Sequence, residues 1–142
     1  MDKKIIIITI PHYNNPVGLI NTISSINDPI KIDIVITDDG SEIKLDEHQV
    51  RSKYNNKGNI HFIYLDKNYG VGIAANKCLE YVKNKSYKYV ARLDAGDISY
   101  KNKFSKQIEF LENNNQIMLV GTWARVLDNE GNLLFYIKHP TD

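Results

Sequence analysis

An α/β fold, a mostly parallel sheet with helices on both faces closed by a C-terminal antiparallel hairpin, is the class this sequence predicts. Three observations carry it. Residues 5–10 and 32–36 are apolar, largely β-branched runs with no polar alternation, the mark of strands covered on both faces. Later segments carry apolar residues at helical spacing instead. Strands and helices alternate along the chain, which implies right-handed crossovers and a parallel sheet. With 142 residues, the expected organisation is one domain over residues 1–142.

The first strand is expected at residues 5–10 and is stopped by Pro11 and by Asn14-Asn15-Pro16. Leu19, Ile20, Ile23 and Ile26 then recur at helical spacing over residues 17–26, and Asp28-Pro29 ends that turn. A second buried strand covers 32–36 and runs into Thr37-Asp38-Asp39-Gly40-Ser41. Residues 42–58 are polar and read as a ragged helix. A third strand at 60–65 leads to Asp66-Lys67-Asn68-Tyr69-Gly70, and 71–82 places Ala74, Cys78, Tyr81 and Val82 on one helical face. A fourth strand follows at 87–93, then a helix at 102–112 with Phe104, Ile108 and Leu111 inward. Residues 117–120 and 123–127 read as strands, and a turn at 128–132 leads into 133–137, a hairpin expected to add an antiparallel edge.

Eighteen basic and seventeen acidic residues leave a formal charge of +1, with the lysines scattered, so the footprint of a nucleic-acid binder is missing. The single cysteine, Cys78, has no internal disulfide partner and no zinc-type spacing, which fits a reducing cytoplasm. Lys3 and Lys4 before the first apolar run resemble the start of a signal peptide. That run is too short to span a bilayer and lacks a small-residue cleavage site. Peripheral attachment, at the inner face of the plasma membrane, stays compatible with the sequence.

In an open parallel sheet, ligands bind beyond the carboxyl ends of the strands, where loops converge. Four polar clusters fall on that rim: Pro11-His12-Tyr13-Asn14, Asp38-Asp39-Gly40-Ser41, Asn68-Tyr69-Gly70, and Asp94-Ala95-Gly96-Asp97. Any one of them is ordinary turn chemistry. Four on one edge, with no such acidic pairs at the opposite strand ends, point to a ligand site.

These residues resemble the family 2 glycosyltransferases of the GT-A fold, a Rossmann-like α/β sandwich. The resemblance rests on Pro11-His12-Tyr13-Asn14, Asp38-Asp39-Gly40-Ser41, Asn68-Tyr69-Gly70 with Asn76, and Leu93-Asp94-Ala95-Gly96-Asp97-Ile98. The tail, Val120-Gly121-Thr122-Trp123-Ala124, Asp128-Asn129-Glu130-Gly131 and His139-Pro140, is similar to the continuation in bacterial members. The resemblance covers essentially the whole chain. It implies the donor half of a transferase that binds a nucleoside-diphosphate sugar, most often the uridine form, with a divalent Mg or Mn ion, for a saccharide or lipid-linked acceptor. Carried over, Tyr13 packs against the base, Asp39 accepts a hydrogen bond from its ring N–H, and Asp38 either contacts ligand or shapes the turn. Pro11, Asn68, Gly70 and Asn76 complete the nucleotide-binding set. Asp94 holds the ribose or the metal. Such a cation, held by carboxylate oxygens, neutralises the charge developing on a diphosphate leaving group.

The chain departs from the family pattern in two places. The second metal-binding Asp of the usual acidic motif is here Gly96, and the next carboxylate is Asp97. The expectation is that Asp97 reaches the ion through the freedom of Gly96; weakened or absent metal binding is the alternative. The family's acceptor site and general base belong to a following segment of comparable size. None of residues 1–142 stands out as that base, and the expectation is a fragment that binds donor but transfers sugar poorly or not at all.

Other patterns compete. Gly70-Val71-Gly72-Ile73-Ala74-Ala75 matches a relaxed dinucleotide fingerprint, with Asp94 as the ribose acid, but residues 66–69 separate the third strand from Gly70. A non-catalytic nucleotide-binding module is a further alternative. A phospho-acceptor receiver wants its acidic pair after the first strand, not the second. Cys78 reads as a small core residue, His12 as structural, and His48 and His61 lack partners at metal-binding spacing. Trp123 is expected under the hairpin, and His139 in a loose terminus. Arg92 pairs with a phosphate or a neighbouring carboxylate.

Overall fold

The computed structural model describes residues 5–140. Lys3 and Lys4, and the two C-terminal residues, lie outside the described residues. The elements run β1 (Ile6–His12), α1 (Pro16–Ser25), β2 (Ile32–Asp38), α2 (Glu47–Ser52), β3 (Ile60–Tyr64), α3 (Val71–Lys83), β4 (Tyr89–Arg92), α4 (Lys103–Asn113), β5 (Ala124–Leu127) and β6 (Leu133–Ile137). The chain divides into two compact units, with the boundary after Ser105.

The first unit holds a four-stranded sheet in the order β3-β2-β1-β4, parallel throughout. β1 and β2 are central and buried at every position, as their unbroken apolar runs require. Alternate residues face opposite layers. Ile7 and Val35 pack on Cys78 and Val82 of α3, and the Thr37 hydroxyl lies 3.1 Å from the Cys78 thiol. Burial pushes that thiol up, only partly offset by the Thr37 hydrogen bond. The other register, Ile6, Ile8, Ile10, Ile34 and Ile36, points to the opposite face. On that face Arg51 of α2 stacks over Phe62 and donates to the Ile60 carbonyl, and α1, which buries Leu19 and Ile23, contacts α2. Helices thus cover both faces, as expected.

Local chemistry sets the helix ends. Asn15 caps α1 by accepting from the Gly18 N–H, with Pro16 in the first turn where its missing donor costs nothing. Asp46 caps α2, the short helix within the ragged polar stretch. Asp28 caps α4 from a distance, its carboxylate accepting from the Phe104 and Ser105 N–H groups.

Four expectations need correction. Pro11 does not end the first strand, which continues through His12. Thr9 accepts from Leu93 on the β4 side and His12 accepts from Asp39 on the β2 side, so the Pro11 nitrogen faces β4, whose ladder already stops at Thr9–Arg92. No ladder bond is lost there. Residues 117–120 form no strand, and Met118 and Leu119 are exposed, so the apolar run has no pairing partner. The hairpin adds no edge to the parallel sheet: β5 and β6 pair with each other as a separate two-stranded sheet.

In this second unit Asp128 organises the hairpin turn. It accepts from the Glu130 and Asn132 N–H groups and from the Asn132 amide, contacts that hold its carboxyl below the usual range, the Asn132 side chain contributing most. Trp123 is half-exposed rather than under the hairpin; its indole donates to the His139 carbonyl and the Lys138 ammonium sits over the ring. A two-stranded sheet offers no second layer to bury an indole.

Candidate functional site

All four parallel strands end on the same edge, so the loops after β1, β2, β3 and β4 emerge side by side in the sheet's own order. Connections run outward from β1 to β2 to β3, then return across the sheet to β4, so the order reverses between β1 and β4. A crevice at that reversal is where such sheets take ligands. Tyr13 follows β1 and Asp94 follows β4, one on each side of it.

The rim is built on a buried side-chain hydrogen bond. His12 and Asp38 are register partners, with Nδ1 and Oδ2 2.7 Å apart. The Asn15 N–H points at His12 Nε2 at 3.2 Å, so that nitrogen accepts and Nδ1 carries the proton given to Asp38. The other Asp38 oxygen accepts from Ser41 N–H at 2.9 Å. Ser41 in turn accepts from Asn14 N–H, and the Asn14 side chain accepts from Glu42 and Ile43. Asp38 therefore shapes the turn. Ser41 and Asn14 lock the first two loops together, with Asn14 in the left-handed region at φ 46°.

Asp39 is 2% exposed. Its two oxygens accept the N–H groups of Tyr69 and Gly70, each at 2.8 Å. This carboxylate occupies the start of α3, the place a dinucleotide pyrophosphate would take if Gly70-Val71-Gly72 were a fingerprint. Gly40 lets the two loops approach: at φ 66°, a Cβ there would lie 2.2 Å from the Lys67 carbonyl carbon. Asn68 and Asn76 are exposed beyond this seam.

The loop after β4 holds the acidic motif. Asp94 is exposed and accepts from Arg92 Nε at 2.9 Å, one of the two pairings expected for that arginine. Gly96 has φ 108°, and the Asp97 N–H closes onto the Asp94 carbonyl at 3.1 Å. Partial burial and then the Asp94 charge push the Asp97 carboxyl up, with Lys103 opposing. Burial lowers the Lys103 ammonium, with Asp97 opposing. Asp94 and Asp97 are the two carboxylates of this turn, and their oxygens are of the type that a hard divalent cation would take. Among the described residues, no group of three or more His, Cys, Asp or Glu gathers to hold a metal by itself.

The structure thus places Pro11, Asp38 and Asp39 within the strand ends and their turns, buried. Tyr13, Asn68, Arg92, Asp94 and Asp97 lie exposed on the rim. His61 stacks on Tyr81. Sequence reasoning missed the supporting residues Thr22, Ser25 and Asp28, whose partners lie more than seventy positions away. The described residues include no helix long and apolar enough to cross a membrane.

Comparison with known proteins places the chain in a family. Residues 7–138 match the model of glycosyl transferase family 2. An uncharacterized glycosyltransferase of Methanocaldococcus jannaschii is 32% identical over 97% of this chain and 48% of its own length. The putative teichuronic acid biosynthesis glycosyltransferase TuaG of Bacillus subtilis is 32% identical over 77% of this chain and 42% of its own. The chain spans less than half the length of either relative. Among solved structures, S. aureus TarS 1-349 in complex with UDP-GlcNAc superimposes with a TM-score of 0.65 at 22% identity, covering 78% of this chain and 32% of TarS, a likeness of fold. With the family model spanning nearly its full length, the chain belongs to glycosyl transferase family 2.

Proposed function

We propose that this chain is the donor-binding portion of a glycosyltransferase that takes a nucleoside-diphosphate sugar, in the uridine form, and serves transfer to a saccharide or lipid-linked acceptor. The observation that carries this reading is the single rim on which Tyr13, Asp39, Asp94 and Asp97 follow parallel strands of one sheet. The UDP-GlcNAc complex of TarS, which shares the fold, supports the choice of nucleotide.

The exposed Tyr13 ring offers a face to the base. Asp39 keeps a second lone pair on each oxygen for the base N–H while its first ones hold Tyr69 and Gly70. Asn68, Gly70 and Asn76 complete the nucleotide-binding set in this reading. Arg92 is solvent-accessible despite its pairing with Asp94 and has donors left for a phosphate. Asp94 and Asp97 would hold a Mg or Mn ion, which when bound neutralises charge on the diphosphate leaving group. The reading places the protein in the cytoplasm, at the inner face of the plasma membrane where the acceptor is lipid-linked.

Thermal-shift titration with UDP, with and without Mn²⁺, tests it. Metal-dependent stabilisation is expected, and Asp94→Ala or Asp97→Ala should weaken the calorimetric UDP–Mn²⁺ affinity about tenfold or more. A flat response of the unaltered chain to every nucleoside diphosphate would refute the donor site.

A further inference from the structure

The loop carrying Asp94 and Asp97 is stitched to one helix. Thr22 of α1 is fully buried, and its hydroxyl accepts the Gly96 N–H at 2.8 Å. The same hydroxyl is directed at the Asp94 carbonyl, a long contact of 3.5 Å. One turn further along α1, Ser25 Oγ accepts the Ser99 N–H at 2.9 Å while donating to the Thr22 carbonyl. Past the helix end, the Asn27 carbonyl accepts from Asn102 and Asp28 caps α4. The anchors at 22 and 25 share one helical face.

Thr22 bridges the two sides of the turn that separates the carboxylates. Gly96, between them, lacks a Cβ and can leave its φ of 108° at little steric cost. Left unanchored, that freedom would let Asp97 turn away from Asp94. The Arg92–Asp94 pair cannot supply the restraint, because both side chains are 53% exposed and such pairs are weak in water. A buried hydroxyl that must find hydrogen-bond partners can.

We infer that Thr22 is a positioning residue for the acidic turn: its hydroxyl, holding Gly96 N–H beside the Asp94 carbonyl, keeps Asp94 and Asp97 directed at one cation-bearing diphosphate. This rests on the donor-site reading above. Thr22 touches no ligand and acts through the backbone of residues 94–97. The same anchor explains how a chain with glycine in place of the second motif carboxylate retains a paired site.

The test compares Thr22→Val, which keeps shape but loses both polar contacts, with Thr22→Ser, which keeps the hydroxyl. Two readouts are taken on the 142-residue chain: amide exchange at Gly96 and calorimetric UDP affinity with and without Mn²⁺. Thr22→Val should speed Gly96 exchange and weaken Mn²⁺-dependent UDP binding about tenfold, leaving the metal-free affinity unchanged, while Thr22→Ser restores both. Should Thr22→Val fail to fold, Thr22→Ala leaves room for water at the turn and is expected to shift both readouts in the same direction. Wild-type metal-dependent affinity in the folded Val or Ala variant overturns the positioning role alone. Equal losses with and without metal also overturn it, since they mark general damage. Nucleotide binding without metal dependence in the unaltered chain overturns this inference alone, whereas no binding of any nucleoside diphosphate overturns the donor-site reading and this inference with it.

Discussion

His12 and Asp38 sit opposite each other on adjacent parallel strands, and their side chains meet at 2.7 Å where β1 and β2 reach the rim. Both are buried, and every polar atom of the pair has a partner: Asn15 N–H on His12 Nε2, Ser41 N–H on the second Asp38 oxygen. The pair joins the two central loops before any ligand arrives. His12→Leu fills the space but strands the Asp38 carboxylate and the Asn15 donor, a loss of about 1–3 kcal/mol. Urea denaturation should show the shift in midpoint; an unchanged midpoint would mean the loops hold without it.

Asp39 gives a second separation of structure from ligand binding. Its two oxygens serve two N–H donors, whereas an asparagine side chain in that place brings one acceptor and one NH₂, setting donor against donor. Asp39→Asn should therefore cost about 1–3 kcal/mol in stability with no nucleotide present. If Asp39 acted on ligand alone, only UDP affinity would change and the denaturation midpoint would stay in place.

The close approach of the loops after β2 and β3 depends on Gly40. An alanine there meets the Lys67 backbone and must hold a φ of 66° that a side chain resists. Gly40→Ala is expected to destabilise by roughly 1–3 kcal/mol. The control is Gly72→Ala, where an added Cβ meets nothing within 4 Å, and which should be neutral or slightly stabilising by denaturation.

Three tyrosines predict the alkaline limit. Tyr54 donates to the Ile32 carbonyl, Tyr87 to Asp33 at 2.6 Å and Tyr64 to Glu47 at 2.9 Å. Burial first, then the neighbouring carboxylates, raise all three hydroxyls above the ordinary 10.0, Tyr64 to about 12. The folded state thus keeps protons that the unfolded chain gives up. Their stabilisation is fully present below pH 10.0 and is lost as pH climbs through the raised values. Urea midpoints measured from about pH 8 to about pH 12 should fall on the alkaline side, and Tyr54→Phe should fall less steeply. Parallel slopes for the two proteins would contradict the assignment.

Much of the framework was open to inspection in the residues. The unbroken runs in β1 and β2, the apolar stripe of α3 and the polar clusters at successive strand ends are local patterns with a fixed period, so they announce strands, helices and a common rim. The failures have local causes too. At Pro11 the missing donor faced an empty side of the ladder, and at residues 117–120 an apolar run found no strand to pair with. Neither outcome depends on the residues themselves but on what lies beside them.

From its sequence alone this chain determined its parallel α/β class, the order of its first eight elements and which carboxylates reach the rim, because periodicity and turn chemistry act between near neighbours. Tertiary structure decided the division of labour among those carboxylates. Asp38 turned to His12, Asp39 to the Tyr69 and Gly70 amides, and Asp94 with Asp97 was left outward on a turn anchored by Thr22. A buried carboxylate must be satisfied by whatever donor the fold brings to it, and that donor can lie anywhere in the chain.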